Sequence, residues 1–280
     1  MPELPEVEHA RRQLSPLVGR TITRVTPRDT IVLGGRSKPS FTKALAGRTL
    51  ERVERRGKNL LVRLSGEGGL AMHLGMTGSL VVAPSAFAPS RFARVSFELG
   101  DLALHFDDPR KLGRLAAGSL DEARKAARMD ALGPDALEVS TPHALAARFA
   151  GARGPIKMAL LDQERIAGLG NIHASEALFL ARLHPLRRAS SLTAREWQHL
   201  HAGIRETLGR ALDELDRLDA NGEPLVYLSA GGENPFLVYD REGEPCPRCG
   251  RAIAREVHGG RSSYLCRHCQ PRPRSTRRAR

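Results

Sequence analysis

The 280-residue chain is long enough for one large domain or two to three small ones, each with a buried core. Its 44 Lys+Arg against 31 Asp+Glu leave a formal net charge of +13, a balance that points to a polyanion, most often nucleic acid. No apolar run approaches the ~18 residues needed to span a bilayer, and no signal peptide precedes the acidic start. A membrane partner is therefore set aside and a cytoplasmic protein expected. All 4 cysteines lie within residues 246–269, which in that compartment suggests metal rather than disulfides.

The chain opens Met1-Pro2-Glu3-Leu4-Pro5-Glu6-Val7-Glu8. Read plainly, this is a helix start: proline suits the first turn, and acidic side chains suit the positive end of the dipole. The other reading is chemical. If Met1 is removed, as a small second residue favours, the chain begins with a secondary amine. A free α-amino group titrates near pH ~8, so part of it is nucleophilic close to neutrality. Attack on a sugar C1′ gives a cationic iminium, an electron sink of the Schiff-base kind. Glu3, beside it, is placed to move a proton.

A first helix is expected over Pro5 to Val18, with Pro16 able to end it sooner. Residues 20–106 read as β, with short runs at 21–25, 60–64 and 94–97 between Gly, Pro and Ser clusters. Strands without intervening helices favour a sandwich or flattened barrel. Residues 121–131 look helical, and Leu132-Gly133-Pro134-Asp135 makes a domain boundary. Short helices are expected over 155–161 and 172–183, joined by the turn Gly168-Leu169-Gly170-Asn171. After Thr193, apolar residues Trp197, Leu200, Ile204, Leu208, Leu212 and Leu215 recur at three- and four-residue steps, one face of a long helix, so Trp197 reads as core. Residues 219–235 are loop-like, and 271–280 form a basic, Pro-bearing tail expected to be disordered.

Cys246-x2-Cys249 and Cys266-x2-Cys269, sixteen residues apart, have the spacing of a four-thiolate tetrahedral zinc site between two knuckles. With no open position implied, one structural zinc is expected. The turn His258-Gly259-Gly260-Arg261 between the knuckles would hold Arg261 at a ribbon tip, suited to a phosphate, although a lone turn arginine is more often simply solvated. The remaining motifs are weak singly. Gly168 to Asn171 opens a helix and offers free N–H groups to a phosphate. Met76, in the Gly-flanked loop His73 to Gly78, reads as core filler or as a wedge that enters a base stack. Asp108-Pro109-Arg110-Lys111-Leu112 is a cation-bearing turn, and Lys58 follows Gly57 in another.

Taken together and in this order, Pro2 to Glu8, Gly57-Lys58, His73 to Gly78, Asp108 to Arg110, Gly168 to Glu176 and the four-cysteine finger resemble the formamidopyrimidine-DNA glycosylase family across nearly the whole chain. The resemblance implies an α+β multidomain protein. Its parts are an N-terminal helix plus β-sandwich catalytic domain (1–133), a helix–two-turn–helix DNA-binding domain (134–235), a zinc finger (236–270) and the tail (271–280), with DNA between the halves. It implies a monomeric, nucleoid-associated base-excision repair enzyme acting on double-stranded DNA that contains oxidised bases or abasic sites. In that enzyme Pro2 is the nucleophile, Glu3 the general acid/base and Glu6 its supporting carboxylate. Lys58 serves β-elimination and phosphate contact, and Arg261 serves δ-elimination. Lys157 and Asn171 hold the backbone around the lesion. A base turned out of the duplex leaves a gap, which Met76 and Arg110 fill.

Three departures stand out. The third wedge position, usually Phe, is Leu112. A His-bearing turn is replaced by Arg91-Phe92-Ala93-Arg94, in which Arg94 is expected to take over a phosphate contact. Residues 219–235 lack the family's Gly-Gly-Thr/Ser-Thr-Leu start of a lid over 8-oxoguanine, and this is similar to endonuclease VIII, the pyrimidine-directed branch. Oxidised purines lead as substrate, with oxidised pyrimidines the alternative. A non-catalytic damaged-DNA-binding zinc-finger protein is the alternative of another class, and intact Pro2, Glu3 and Lys58 argue against it.

Overall fold

The computed structural model describes residues 2–221 and 234–273. Met1, residues 222–233 of the variant loop and residues 274–280 of the basic tail lie outside the described residues. The chain divides into two compact units, Met1–Leu132 and Gly133–Arg280.

In the first unit, helix α1 (Leu4–Gln13) stops short of the Val18 expected from sequence. Proline has no amide hydrogen and its ring clashes with the carbonyl four residues back. The chain therefore tightens at Pro16 into a single 3-10 turn, Ser15–Leu17. Strand β1 (Arg24–Pro27) follows, and then helix α2 (Lys38–Leu45), which breaks the expected helix-free run. The Ser37 hydroxyl caps α2 by accepting from the Ser40 amide, and Phe41 and Leu45 are its buried pair. Two large apolar residues on eight positions, with only Ala44 beside them, are too few for a helical period to show in sequence.

Seven strands complete the unit: β2 (Leu50–Arg56), β3 (Asn59–Leu64), β4 (Gly68–His73), β5 (Ser79–Pro84), β6 (Ala93–Leu99), β7 (Leu102–Asp107) and β8 (Arg114–Ser119). They form two antiparallel sheets, ordered β2-β3-β4-β8 and β1-β6-β7-β5. Leu60, Val62 and Met72 from one sheet share a core with Val95, Phe97, Leu104 and Phe106 from the other, the sandwich expected. Strand β8 extends beyond the region read as β because Leu-Ala-Ala-Gly carries none of the β-branched or aromatic residues that mark strands. Helix α3 (Leu120–Ala126), held by a Ser119/Glu122 capping box, covers the outer face of its sheet with Ala123 against Leu61 and Ala71.

The second unit holds helices α4 (Pro142–Arg148), α5 (Ile156–Leu160), α6 (Asn171–Leu180) and α7 (Ala194–Ala220), then the two-stranded ribbon β9 (Ala254–His258) and β10 (Arg261–Leu265). Helix α7 starts in a Thr193/Glu196 capping box and buries Trp197, Leu200, Ile204, Leu208 and Leu215 on one face. Trp197 stacks on Phe149 at 5.3 Å, a core role as its periodicity predicts. Helix α6 is buried on every side, and it lies so close to α7 that a Cβ at Gly203 would come within 2.8 Å of the Ala177 carbonyl. The ribbon belongs to this same compact unit. Three adjacent amides, of Leu237, Val238 and Tyr239, donate to the buried Glu176 carboxylate of α6 at 2.7–2.9 Å. Gln270 and Arg248 donate to the carbonyls of Leu183 and Phe179. No helix among the described residues is long and apolar enough to cross a membrane.

Candidate active site and nucleic-acid-binding residues

The amino terminus combines both readings of its sequence. Glu3 is fully buried and caps α1: its carboxylate accepts from the Glu6 amide, while its own amide donates to Glu6 Oε2 at 2.9 Å. The Glu3 carboxylate is thus held at the positive end of a helix dipole, directly after Pro2. One helical turn on, Glu8 anchors the neighbouring turn. Burial alone would raise its pKa, but hydrogen bonds and charge from Arg11 and Arg55 outweigh that and bring it to about 2. Arg55 donates to Glu8 Oε2 at 2.9 Å and to the Gly57 carbonyl at 3.1 Å. Gly57 has φ +57°, the left-handed conformation glycine tolerates, and half-buried Lys58 follows it. Next along β3, Asn59 pairs with His73. Burial, with Lys58 and Arg114 as neighbouring cations, pushes the His73 imidazole below its ordinary pKa. Glu8 and Arg55 carry no local motif that marks this pairing, since they lie 47 residues apart.

Met76, Arg110 and Leu112 stand on one platform. Met76 and Leu112 are apolar yet 44% and 46% exposed, and they lie on neighbouring loops. Their loops touch backbone to backbone: a Cβ on Gly75 (φ +64°) would lie 2.6 Å from the Leu112 carbonyl. The buried Asp108 carboxylate ties the loops together. It accepts from the Thr77 hydroxyl at 2.5 Å, the Gly113 amide at 2.7 Å and the Arg110 amide at 3.2 Å. Arg94 is the extra residue of a β-bulge, since Ala93 pairs with Asp107 and Val95 with Phe106. A bulge re-aims a side chain. The Arg94 guanidinium donates to the Asp108 and Pro109 carbonyls at 2.7 and 3.3 Å, so it braces the Arg110 turn from behind. Asp108, quoted in sequence only as part of a turn, is the organiser.

In the second unit, Gln163 clamps the glycine turn. Its side-chain oxygen accepts from the Gly168 amide at 2.9 Å, and its nitrogen donates to the Leu161 and Leu169 carbonyls. The turn delivers Asn171 to the start of α6, where Oδ1 is buried with no hydrogen-bond partner. Lys157 of α5 is 1% exposed, and its ammonium donates to the Ser262 carbonyl at 2.7 Å and the Ser263 hydroxyl at 2.8 Å. The resemblance assigns Lys157 to the backbone around the lesion, and in the structure its ammonium also holds the ribbon that carries exposed Arg261. The turn before Arg261 runs through Gly259 and Gly260, both at positive φ, as a two-residue hairpin of the primed kind requires.

The sulfurs of Cys246, Cys249, Cys266 and Cys269 all lie within 4.8 Å of one another. Tetrahedral zinc–thiolate bonds of ~2.3 Å put ligand sulfurs roughly 3.8 Å apart. The 3.5 Å between Cys249 and Cys266 and the 4.0 Å between Cys246 and Cys269 fit that ion. The Arg248 amide donates to the Cys246 sulfur at 3.4 Å, which offsets part of the thiolate charge inside the knuckle. Four thiolates leave no open position, so the zinc is structural.

A helix-led β-sandwich, a two-helix turn module and a four-cysteine ribbon on one chain define a zinc-finger DNA glycosylase. The chain matches the formamidopyrimidine-DNA glycosylase N-terminal domain over residues 1–115, the H2TH domain of the same enzymes over 132–218, and the zinc finger found in them and in isoleucyl-tRNA synthetase over 243–272. It is 43% identical over 274 residues to the formamidopyrimidine-DNA glycosylase of Chloroflexus aurantiacus, covering 96% of this chain and 98% of that one. The solved MutM (Fpg) protein of Thermus thermophilus is 40% identical with a TM-score of 0.80, over 96% of this chain and 98% of that one. Lactococcus lactis Fpg, solved with DNA containing an N7-benzyl-Fapy-dG, is 29% identical with a TM-score of 0.84, over 97% of this chain and all of that one. The chain belongs to the formamidopyrimidine-DNA glycosylase family.

Proposed function

We propose that this family member removes oxidised purines, 8-oxoguanine and formamidopyrimidines, from double-stranded DNA and then cuts the strand on both sides of the abasic sugar. It does so as a monomer in the cytoplasm, associated with the nucleoid through DNA. The observation that carries the reading is the buried Glu3 carboxylate locked by its capping box immediately after Pro2.

Each step then has a named group. With Met1 cleaved, the Pro2 nitrogen attacks C1′ and the bond to the base breaks, the base leaving with a proton. Glu3 delivers a proton to the ring oxygen as the sugar opens, and Glu6 holds Glu3 in place. The resulting iminium withdraws electrons and acidifies C2′. Loss of the C2′ proton expels the 3′ phosphate with the electron pair of its C–O bond, and Lys58 steadies the phosphate. Loss of the C4′ proton expels the 5′ phosphate in the same way, with Arg261 receiving its charge. Water at C1′ finally releases Pro2 and an unsaturated aldehyde. Met76, Arg110 and Leu112 fill the gap left by the extruded base, while Asn171 and the glycine turn hold the backbone. Labour divides accordingly among residues 1–133, 134–235 and 236–270. Zinc on the four cysteines contributes a cross-link that holds the ribbon and takes no part in the chemistry.

The test is borohydride trapping on duplexes carrying 8-oxoguanine, a formamidopyrimidine, an oxidised pyrimidine or an abasic site. A reducible adduct that peptide mapping places on the Pro2 nitrogen supports the mechanism; an adduct on a lysine side chain instead would overturn it. The sequence of 219–235 favours one second reading, an endonuclease VIII-like preference for oxidised pyrimidines. Faster excision of the pyrimidine lesion would select it.

A further inference from the structure

A turn made of two glycines is intrinsically pliable, yet Arg261 has to meet a phosphate at a fixed place. Strand pairing sets Arg261 directly opposite His258 across that turn. The turn also rests on α5, where a Cβ at Gly259 would meet Met158 Sδ at 2.9 Å. The remaining constraint is a chain of polar contacts. Lys157 Nζ donates to Ser263 Oγ at 2.8 Å, and Ser263 Oγ lies 3.0 Å from His258 Nδ1. His258 Nε2 lies 3.2 Å from Glu256 Oε2, and Arg267 donates to the other Glu256 oxygen at 3.0 Å.

Directions follow from the chemistry of the groups. An ammonium only donates, so Ser263 accepts from Lys157 and has its own hydroxyl hydrogen to place. Ser263 is fully buried, and His258 Nδ1 is the acceptor within reach. Glu256 accepts only, which puts the His258 proton on Nε2. In this arrangement Lys157, Ser263 and His258 Nδ1 are joined by hydrogen bonds and Glu256 lies within ion-pair reach of Nε2, a connected buried polar network of the kind that fixes geometry.

We propose that neutral, Nε2-protonated His258 is a positioning residue for Arg261, locking the two-glycine turn through Ser263 and Glu256 so that Arg261 meets the phosphate expelled in the second strand cut. The inference rests on the assignment of Arg261 to that step. A proton added at Nδ1 would strand the buried Ser263 hydroxyl hydrogen and set a cation beside Lys157. The charged groups around His258 are Glu256 on its own strand, Lys157 from α5, Arg272 beyond the ribbon, and Arg267 through Glu256; His184, after α6, lies 6.4 Å away ring to ring. Burial foremost, with Lys157 and Arg272 and against Glu256, pushes the imidazole below its ordinary pKa. The lock is therefore closed at neutral pH and opens on acidification below the ordinary histidine range.

The experiment is single-turnover cleavage of an abasic duplex, resolving first-cut from second-cut product, for wild type, His258→Leu, His258→Asn and Arg261→Ala, with zinc measured for each. Asparagine presents Oδ1 where Nδ1 was and does not titrate. We expect His258→Leu to slow the second cut about tenfold, roughly the worth of one lost hydrogen bond, with the first cut unchanged. His258→Asn should restore the second cut and lose the acid-side decline that wild type shows. If Arg261→Ala loses the second cut while His258→Leu matches wild type, the positioning role is overturned and the Arg261 assignment stands. If Arg261→Ala keeps the second cut, that assignment fails and takes the inference with it. If His258→Leu sheds zinc, the pH profile of His258→Asn decides: a wild-type acid decline there overturns the proposal.

Discussion

Arg55 holds the Glu8 carboxylate at 2.9 Å with one nitrogen and the Gly57 carbonyl at 3.1 Å with another. One side chain thereby joins the helix that begins at Glu3 to the turn that presents Lys58. The pair is largely out of water, Arg55 7% and Glu8 13% exposed, so losing Arg55 removes a buried charge-assisted hydrogen bond, although Arg11 still holds the carboxylate. Arg55→Met should destabilise the sandwich unit by about 2 kcal/mol, the worth of a lost hydrogen bond to a charged group. It should also slow abasic-site cleavage more than DNA binding, because Lys58 loses its fixed position. Urea unfolding and single-turnover rates measure the two effects, and an unchanged lyase rate would reject the link.

The same carboxylate sets an acid limit. The folded-state pKa of Glu8, about 2, lies below the ordinary glutamate value, so its contribution is complete above that ordinary value and is lost as pH falls toward 2. Allowing for solvent screening, roughly 2 kcal/mol should disappear between about pH 5 and 2. Glu8→Gln should be less stable at pH 7 and show a flatter stability profile across that window. Parallel profiles for the two proteins would refute the assignment.

Asp108 should matter to base removal more than to strand cleavage. Its three accepted hydrogen bonds set the Met76 loop against the Arg110–Leu112 turn. Asp108→Ala leaves the Gly113 amide and the Thr77 hydroxyl without that acceptor, a cost of about 2–3 kcal/mol concentrated in the platform. Excision of a paired lesion needs the void filled, whereas an abasic site is already empty. A drop of tenfold or more in excision with a smaller change on abasic DNA is expected. Equal losses on both substrates would indicate general unfolding instead.

Zinc removal should act on the ribbon and spare the sandwich. Cys249→Ser breaks the tetrahedral set, and the ribbon's hydrogen bonds to Glu176, Lys157 and Leu183 then have less to hold in place. DNA affinity at fixed salt should fall while the unfolding transition of residues 1–132 stays where it was. Full DNA binding by a zinc-free protein would remove the finger from the interface.

What the sequence revealed and what it hid separate along physical lines. Cysteine spacing, the Pro-Glu start and the α7 stripe are local signals, since each is carried by residues a few positions apart. Helix α2 and strand β8 escaped because a two-residue apolar face and an alanine-glycine strand carry no period. The bracing residues were hidden for a different reason. Asp108 reaches back 31 residues to Thr77, Arg55 47 residues to Glu8, and Lys157 forward 106 residues to Ser263, and no spacing rule spans such separations. Lys157 shows the consequence: the family resemblance assigns it to the backbone around the lesion, and its bonds to Ser262 and Ser263, 105 and 106 residues away, show in the fold alone.

Leu112 offers a direct handle on the gap-filling assignment. It projects from a backbone fixed by Gly75 and Asp108, so a change of side chain there alters contact surface without moving the loop. Aromatic stacking on a base is worth about 1–3 kcal/mol, and leucine supplies only the apolar part of it. Leu112→Phe should therefore tighten binding to an abasic duplex by roughly fivefold or more. Met76→Ala should weaken it, with the trapped Pro2 adduct still forming in both. Equal affinity for wild type and Leu112→Phe would mean the side chain never enters the base stack, and the altered third wedge position would then say nothing about lesion choice.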